Sequence, residues 1–467
     1  MSTPNAPLSP AVKLGYSAGE AANSLIYTLV YVFLLFFLTD VMQLSAAAAG
    51  AIVLLGTMWD AVLDPLVGTA SDRLSGRWGR RRPFLLAVAV PYGLCAWLLF
   101  TDFGLSAAAK PWYFALAAMM FFTCFAVLET THLALGAEMT PDYDERTSLN
   151  GYRAAVSQVA SLLAASLPLI LAEALAPYAG GGATGGWSLM AGIFAAASVP
   201  LILVAWRTTR GHEPPTLPAP TPLSDALHVA WRNRPFMRTL GLYAFGIAGA
   251  AVAVTLMQYF MAHVMRFGSV TASLAFAVLF GCTVLWVPAI GWLSRRVGKR
   301  LAYLAVIGLW ALVQVAAALG VGPGDTVVFF GLLALVSGGV VGVYMLGWSM
   351  IPDTVEVDEF HSGQRREGLL YGVASLAQKI VTALALGAVG IVLEASGYAG
   401  AGEAQDHASV SGIRALYGWG TAALLVVSLA FCVAMPMTRA RHAALREAIR
   451  RKKAGLTWEA DALDKLI

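Results

Sequence analysis

Three carboxylates stand where a carboxylate is expensive. Asp60 and Asp64 fall inside an apolar run over residues 47–70, and Glu129 lies near the middle of another, 112–138, in Leu128-Glu129-Thr130-Thr131-His132. An ionised carboxylate at the centre of a bilayer costs about 2.5–3.5 kcal/mol, so each is a functional candidate by default. Asp60 and Asp64 are four residues apart, one helical turn, and project from one face about 6 Å from each other. Two anions so close cannot both stay charged alone: either a bound cation neutralises them or one holds a proton. The plainer reading is a structural pair bonded to neighbouring helices. Arg153, at the start of a further run, and Lys379, deep within another, face Glu129 in principle. Arg153 has the option of snorkelling to the interface, and Lys379 is too deep for it. These five groups sum to −3 + 2 = −1, so one cation or proton makes the set neutral. Glu20 is left out of the sum because it lies near the end of the first run, within reach of water.

Other signals are weaker. Gly15-Tyr16-Ser17-Ala18-Gly19 matches the G-x-S-x-G nucleophile pattern but opens an apolar helix and follows no strand, so it reads as chance. His132 is as readily a packing residue as a proton relay. Gly338-x-x-x-Gly342 permits close helix packing. There is no phosphate-binding glycine loop ending in Lys-Ser or Lys-Thr and no His-Glu-x-x-His, so neither ATP-driven work nor zinc hydrolysis has support, and no enzymatic activity is expected. Cys95, Cys124, Cys282 and Cys432 all sit in apolar runs and read as small core residues, with no metal site among them.

The elements that must hold these residues are membrane helices. The chain has 467 residues, 58% hydrophobic and 12% charged, with mean hydropathy +0.70, against about 25% charged in a soluble domain. The polar residues 1–10 and the run that follows predict a first span that is retained rather than cleaved. A crossing helix needs about 20 mostly apolar residues, and the pattern predicts about twelve: 17–41, 47–70, 83–104, 112–138, 150–176, 187–206, 237–265, 270–293, 301–321, 327–351, 368–395 and 412–436. The proline-rich stretch from Glu213 to Pro220 marks a stiff linker. The expected division is a six-helix half over 1–207, a linker over 208–236, a second half over 237–437 and a charged, solvated tail over 438–467. Pro65-x-x-Gly68-x-x-Ser71-x-Arg73 leading to Gly79-Arg80 recurs as Pro288-x-x-Gly291-x-x-Ser294-x-Arg296 leading to Gly298-Lys299. Two such related halves with a site between them are the plan of alternating-access carriers. The repeat places Thr283 and Val287 opposite Asp60 and Asp64, which confines the acidic pair to the first half. Lys and Arg crowd the loops after the second and eighth spans and the tail, which predicts a multi-pass inner-membrane protein with both termini cytoplasmic. The basic residues do not gather on one face as a nucleic-acid binder requires.

Thr39-Asp40, Trp59-Asp60-Ala61-x-x-Asp64-Pro65-x-x-Gly68, Ser71-Asp72-Arg73, Gly79-Arg80-x-Arg82-Pro83, Glu138-x-x-x-Asp142-x-x-Glu145-Arg146 and Pro352-Asp353-Thr354-Val355-Glu356 together resemble the glycoside–pentoside–hexuronide:cation symporter family. The resemblance implies the all-α major-facilitator fold in two pseudo-symmetric six-helix halves, with Asp60 and Asp64 as the cation-site carboxylates. It implies Glu129 as a substrate-binding acid with Arg153 and Lys379 as charged partners; Ser24 and Trp348 are counted with them. Asp72, Arg73, Arg80, Arg82, Glu138, Arg146 and Asp353 are expected as a cytoplasmic gate. The solute is then sugar-like, carried by a monomer without a cofactor, its coupling ion a proton or sodium. At positions where family members offer sodium ligands this chain has Leu63 and Ala126, which lack side-chain oxygens, so the proton is expected even though Thr57 or Thr130 can rotate in. An amphiphile carrier of the same fold is the alternative, and a non-transporting sensor a third reading.

Overall fold

The computed structural model describes residues 8–73, 78–140, 142–212, 229–363, 366–398, 407–454 and 456. Its elements are helical. They are α1 (Pro10–Phe36), α2 (Ala46–Arg73), α3 (Arg82–Leu99), α4 (Lys110–Glu138), α5 (Tyr143–Ser166), α6 (Pro168–Leu175), α7 (Ala183–Thr208), α8 (Arg234–Tyr259), α9 (Ser269–Val297), α10 (Lys299–Gly320), α11 (Thr326–Gly342), α12 (Trp348–Ser362), α13 (Glu367–Ala395), α14 (His407–Ala415), α15 (Thr421–Ala434) and α16 (Arg439–Lys453). Among the described residues eleven helical segments are long and apolar enough to cross a membrane, or twelve if α5 and α6, bent by 43°, make one span. The bend has a local cause. Pro168 has no N–H to continue the ladder and its ring crowds the preceding turn. Most of the expected linker, residues 213–228, and residues 455 and 457–467 of the tail lie outside the described residues.

The chain forms two compact units, one of residues 1–220, 267–280 and 390–409, the other of 221–266, 281–389 and 410–467. In the first, α1 packs along α5 and α7, α2 along α4, and α3 against α4 and α7. Phe33, Phe37, Phe100, Phe114 and Phe121 are fully buried there, with the Phe37 ring tilted against Phe100 at 5.0 Å and Trp187 at 5.6 Å. The G-x-S-x-G residues serve packing. A Cβ on Gly15 would lie 2.3 Å from Thr208 Oγ1 and one on Gly19 2.6 Å from His132 Nε2, while Ser17 Oγ donates to Lys13 O in its own helix. In the second unit α8 is the innermost helix, buried almost continuously from Leu242 to Tyr259, and packs on α15, with α10 against α11 and α15. Gly338 and Gly342 admit Trp286 and Val306 at distances a Cβ would forbid.

The sequence repeat is also a backbone repeat. α1 ends in a π-helical turn, Phe37–Val41, and α8 in another, Phe260–Val264. Two residues after each comes a non-glycine residue in the left-handed region, Gln43 at φ 58° and Arg266 at φ 55°. Gly79 and Gly298, which end the paired basic loops, both have φ 88°. α11, its π-helical extension Val343–Gly347 and α12 run together over Thr326–Ser362, 37 residues. At 1.5 Å per residue that is about 55 Å, against about 30 Å of hydrocarbon. The polar end carrying Asp353, Glu356, Asp358 and Glu359 therefore stands outside the bilayer.

The close approach at Gly19 gives a stability test. Gly19→Val should lower the melting temperature of the purified protein through about 1–3 kcal/mol of overpacking. Gly308→Val, where no atom lies within 4 Å of the added Cβ, should leave it nearly unchanged; equal shifts would contradict the packing assigned to Gly19.

Candidate cation site and charged clusters

Asp60 and Asp64 project from α2 and Glu129 from α4, helices that lie together within the first unit. Their approach is set by Gly56, where a Cβ would meet the Phe122 ring at 2.5 Å, and by Trp59, whose Nε1 donates to Thr123 Oγ1 at 2.9 Å. One carboxylate oxygen from each of Asp60, Asp64 and Glu129 lies within 4.8 Å of the other two. Asp60 is 2% exposed; the other two are half-buried. Thr130 Oγ1 donates to Asp64 Oδ1 at 3.3 Å, whereas Thr57 spends its hydroxyl on Val53 O of its own helix. Pro65 also removes the N–H that would hold Ala61's carbonyl. The set therefore offers six carboxylate oxygens, one hydroxyl and a nearby carbonyl. Hard oxygens in this number suit a hard cation, and the crowding of negative charge equally suits a shared proton.

Arg153 pairs with Glu20, the acid left out of the expected set. Its Nη1 lies 3.4 Å from Glu20 Oε2, and His132 Nδ1 approaches the same oxygen at 3.8 Å. His132 Nε2 lies 2.9 Å from Tyr16 O and its ring stacks on Tyr16 at 4.3 Å. Glu20 thus enters the charge sum, which becomes −1 − 1 = −2 for the six groups. Two further rungs continue from this pair: Ser24 Oγ to Ser157 Oγ at 2.6 Å and Thr28 Oγ1 to Ser161 Oγ at 3.1 Å. Each rung joins residues 133 apart in sequence, stepping four residues along α1 and four along α5. The two polar stripes were legible at i, i+4 spacing, but nothing in the chain showed that they face one another.

The expected gate residues form tight contacts within each unit. Arg80 Nη2 donates to Glu138 Oε1 at 2.8 Å, and Arg81 bonds the same oxygen as well as Asp72 and Ser71. Asp72 is thus held by Arg81, while Arg73 is exposed. Arg82 donates to Trp206 O at 3.0 and 2.8 Å, satisfying the end of α7, and Arg146 donates to Thr140 O. In the second unit Lys299 takes the place of Arg80 and Asp353 that of Glu138, at 2.7 Å. Lys379 is half-buried in α13. Trp348, 39% exposed, has Tyr243 at 5.3 Å and Tyr371 at 5.0 Å beside its ring.

The tail is docked rather than solvated. α16 buries Leu445 and Ala448 and sets His442 Nε2 2.9 Å from Glu356 Oε2, with Lys453 Nζ 2.6 Å from Glu359 Oε1. The Glu356 carboxylate holds the His442 pKa above its ordinary value; burial and Lys299 oppose this and Asp353 adds to it.

A membrane-embedded all-helical chain with an internal backbone repeat and a carboxylate cluster between two of its spans is a secondary carrier of the major-facilitator class. A solved structure from work on proton-dependent oligopeptide transporters superposes with TM-score 0.67 at 14% identity, over 95% of this chain and 100% of that chain, which shows the shared fold. The family described as MFS/sugar transport protein matches residues 15–439, and the chain belongs to it. The symporter YnaJ of Bacillus subtilis is 31% identical over 87% of each chain. A glucuronide carrier protein homolog of Escherichia coli is 28% identical over 88% of this chain and 89% of its own. This is the symporter group its motifs resemble.

Two measurements follow. Arg153→Gln should destabilise by up to about 3 kcal/mol by leaving Glu20 unpaired, and Glu20→Gln added to it should restore part of the loss; additive losses would deny the pairing. For the tail, a histidine whose folded value is raised stabilises docking fully below about pH 6.5 and loses that contribution as pH rises through the raised value. A spin-label or fluorophore pair reporting the α12–α16 distance should therefore show release with rising pH, and His442→Gln should flatten the curve.

Proposed function

We propose that this chain carries a sugar or glycoside across the inner membrane in symport with a cation held by Asp60, Asp64 and Glu129. The observation that carries the reading is the convergence of three carboxylates within 4.8 Å inside apolar helices, since full ionisation there is unfavourable and binding of a cation relieves it. The relative named as a glucuronide carrier protein homolog supports the substrate class. So does the Tyr243–Trp348–Tyr371 group, because a partly exposed aromatic face with polar handles suits the apolar face of a sugar ring. Both termini lie on the cytoplasmic side in this reading, as the basic loops and tail favour, and one copy of the chain suffices.

The coupling ion in this reading is the proton. It asks for a single carboxylate that takes up and releases H+, and Leu63 and Ala126 add no oxygen of their own. Sodium is the second reading, favoured by the hydroxyl of Thr130 beside Asp64 and by the third carboxylate.

Proteoliposomes supplied with a panel of labelled sugars, glycosides and lysolipids test both points. Under an imposed proton gradient in sodium-free buffer, a sugar should accumulate with alkalinisation outside, and uptake should fall as external pH rises. Asp64→Asn should abolish accumulation, a loss of at least about tenfold, while downhill exchange persists. Strict sodium dependence without proton movement would replace the proton by sodium; full accumulation by Asp64→Asn would remove the cluster from the coupling step.

A further inference from the structure

The second unit holds a cavity of about 1020 Å³ between the start of α8, the end of α12 and the segment joining α15 to α16. Six arginines line it, Arg232, Arg234, Arg238, Arg300, Arg366 and Arg441, against one carboxylate, Asp358, for a formal charge of +6 − 1 = +5. Part of this charge is used locally: Arg366 forks onto Asp358 at 2.9 and 2.7 Å, Arg441 donates to Pro436 O and Arg300 to Val433 O. Arg300 Nε is buried without an acceptor. Arg232, Arg234 and Arg238 have no acidic partner among the described residues. Helix α8 begins between them, so its N-terminal backbone adds positive potential. Trp231, next to Arg232, is 76% exposed, as befits an aromatic anchor at a membrane–water interface.

Six guanidinium groups lining one cavity against a single carboxylate favour an anion there, and the guanidinium fork matches the geometry of phosphate oxygens. We propose that this cavity binds a phosphate-bearing anion, presented either by an anionic lipid headgroup of the adjacent leaflet or by a small soluble phosphate compound. The site is separate from the carboxylate cluster and does not rest on the transport reading. Basic pockets at the cytoplasmic ends of membrane helices bind such headgroups in general.

The experiment uses the purified full chain. One arm titrates cardiolipin against phosphatidylcholine and reads retained lipid by native mass spectrometry; the other titrates inorganic pyrophosphate and reads the melting temperature. Wild type should retain cardiolipin over phosphatidylcholine, gain stability with pyrophosphate, or both. Arg232→Gln/Arg234→Gln/Arg238→Gln should weaken the response roughly a hundredfold, each arginine contributing about fivefold. Should the triple variant fold poorly, Arg238→Gln alone should still show about fivefold. Cardiolipin alone identifies a headgroup, and pyrophosphate alone a soluble ligand. Identical responses of wild type and variant, or no response to either probe, overturns the proposal.

Discussion

The structure turns on the price of unlike surroundings for charge. Three carboxylates with oxygens within 4.8 Å repel one another by roughly 3.5 kcal/mol per pair at an effective dielectric of about 20, or about 10 kcal/mol together. That is the size of a whole domain's stability. Such repulsion is relieved by a proton or by positive charge nearby, and the packing around the cluster is firm: Gly56 lets α2 approach α4, and Trp59 and Thr130 tie the helices on either side of it. Elsewhere in the first unit buried charges meet opposite ones, Glu20 with Arg153 and Glu138 with Arg80 and Arg81.

Much of this was legible in the chain because bilayers impose a coarse code. Apolar length gave the spans, loop arginines marked the turns, and the four-residue spacing of Asp60 and Asp64 put them on one face. What escaped depended on which helix faces which. Glu129 was assigned a role by resemblance, and only the α2–α4 contact showed it beside the acidic pair. The Arg153–Glu20 pair escaped because neighbours across α1 and α5 are set by rotation about helix axes, which hydropathy does not record. Asp72's partner, Arg81, could not be singled out for a similar reason: three consecutive arginines in a turn point in three directions, and only the backbone after Gly79 decides among them. The tail read as solvated because a basic helix looks so in isolation; its acidic counterpart lies about ninety residues earlier.

The two units show how a repeat keeps its mechanics while losing its chemistry. The π-helical turns, the left-handed Gln43 and Arg266, and the glycines at φ 88° are shared, and so is the cation clamped onto a carboxylate, Arg80 on Glu138 and Lys299 on Asp353. Thr283 and Val287 stand where Asp60 and Asp64 would be. Backbone features that shape spans are retained in both copies, while the charged cluster occurs in one, which confines its electrostatic cost to a single half.

The continuous helix over Thr326–Ser362 acts as a pointer. With about 25 Å of its length beyond the hydrocarbon, its acidic tip lies about 40 Å from the bilayer centre, so a tilt of about ten degrees around that centre sweeps the tip by about 7 Å. Because α16 is fastened to this tip by Glu356 and Glu359, small rotations inside the membrane become displacements of the C-terminal helix of several ångströms outside it.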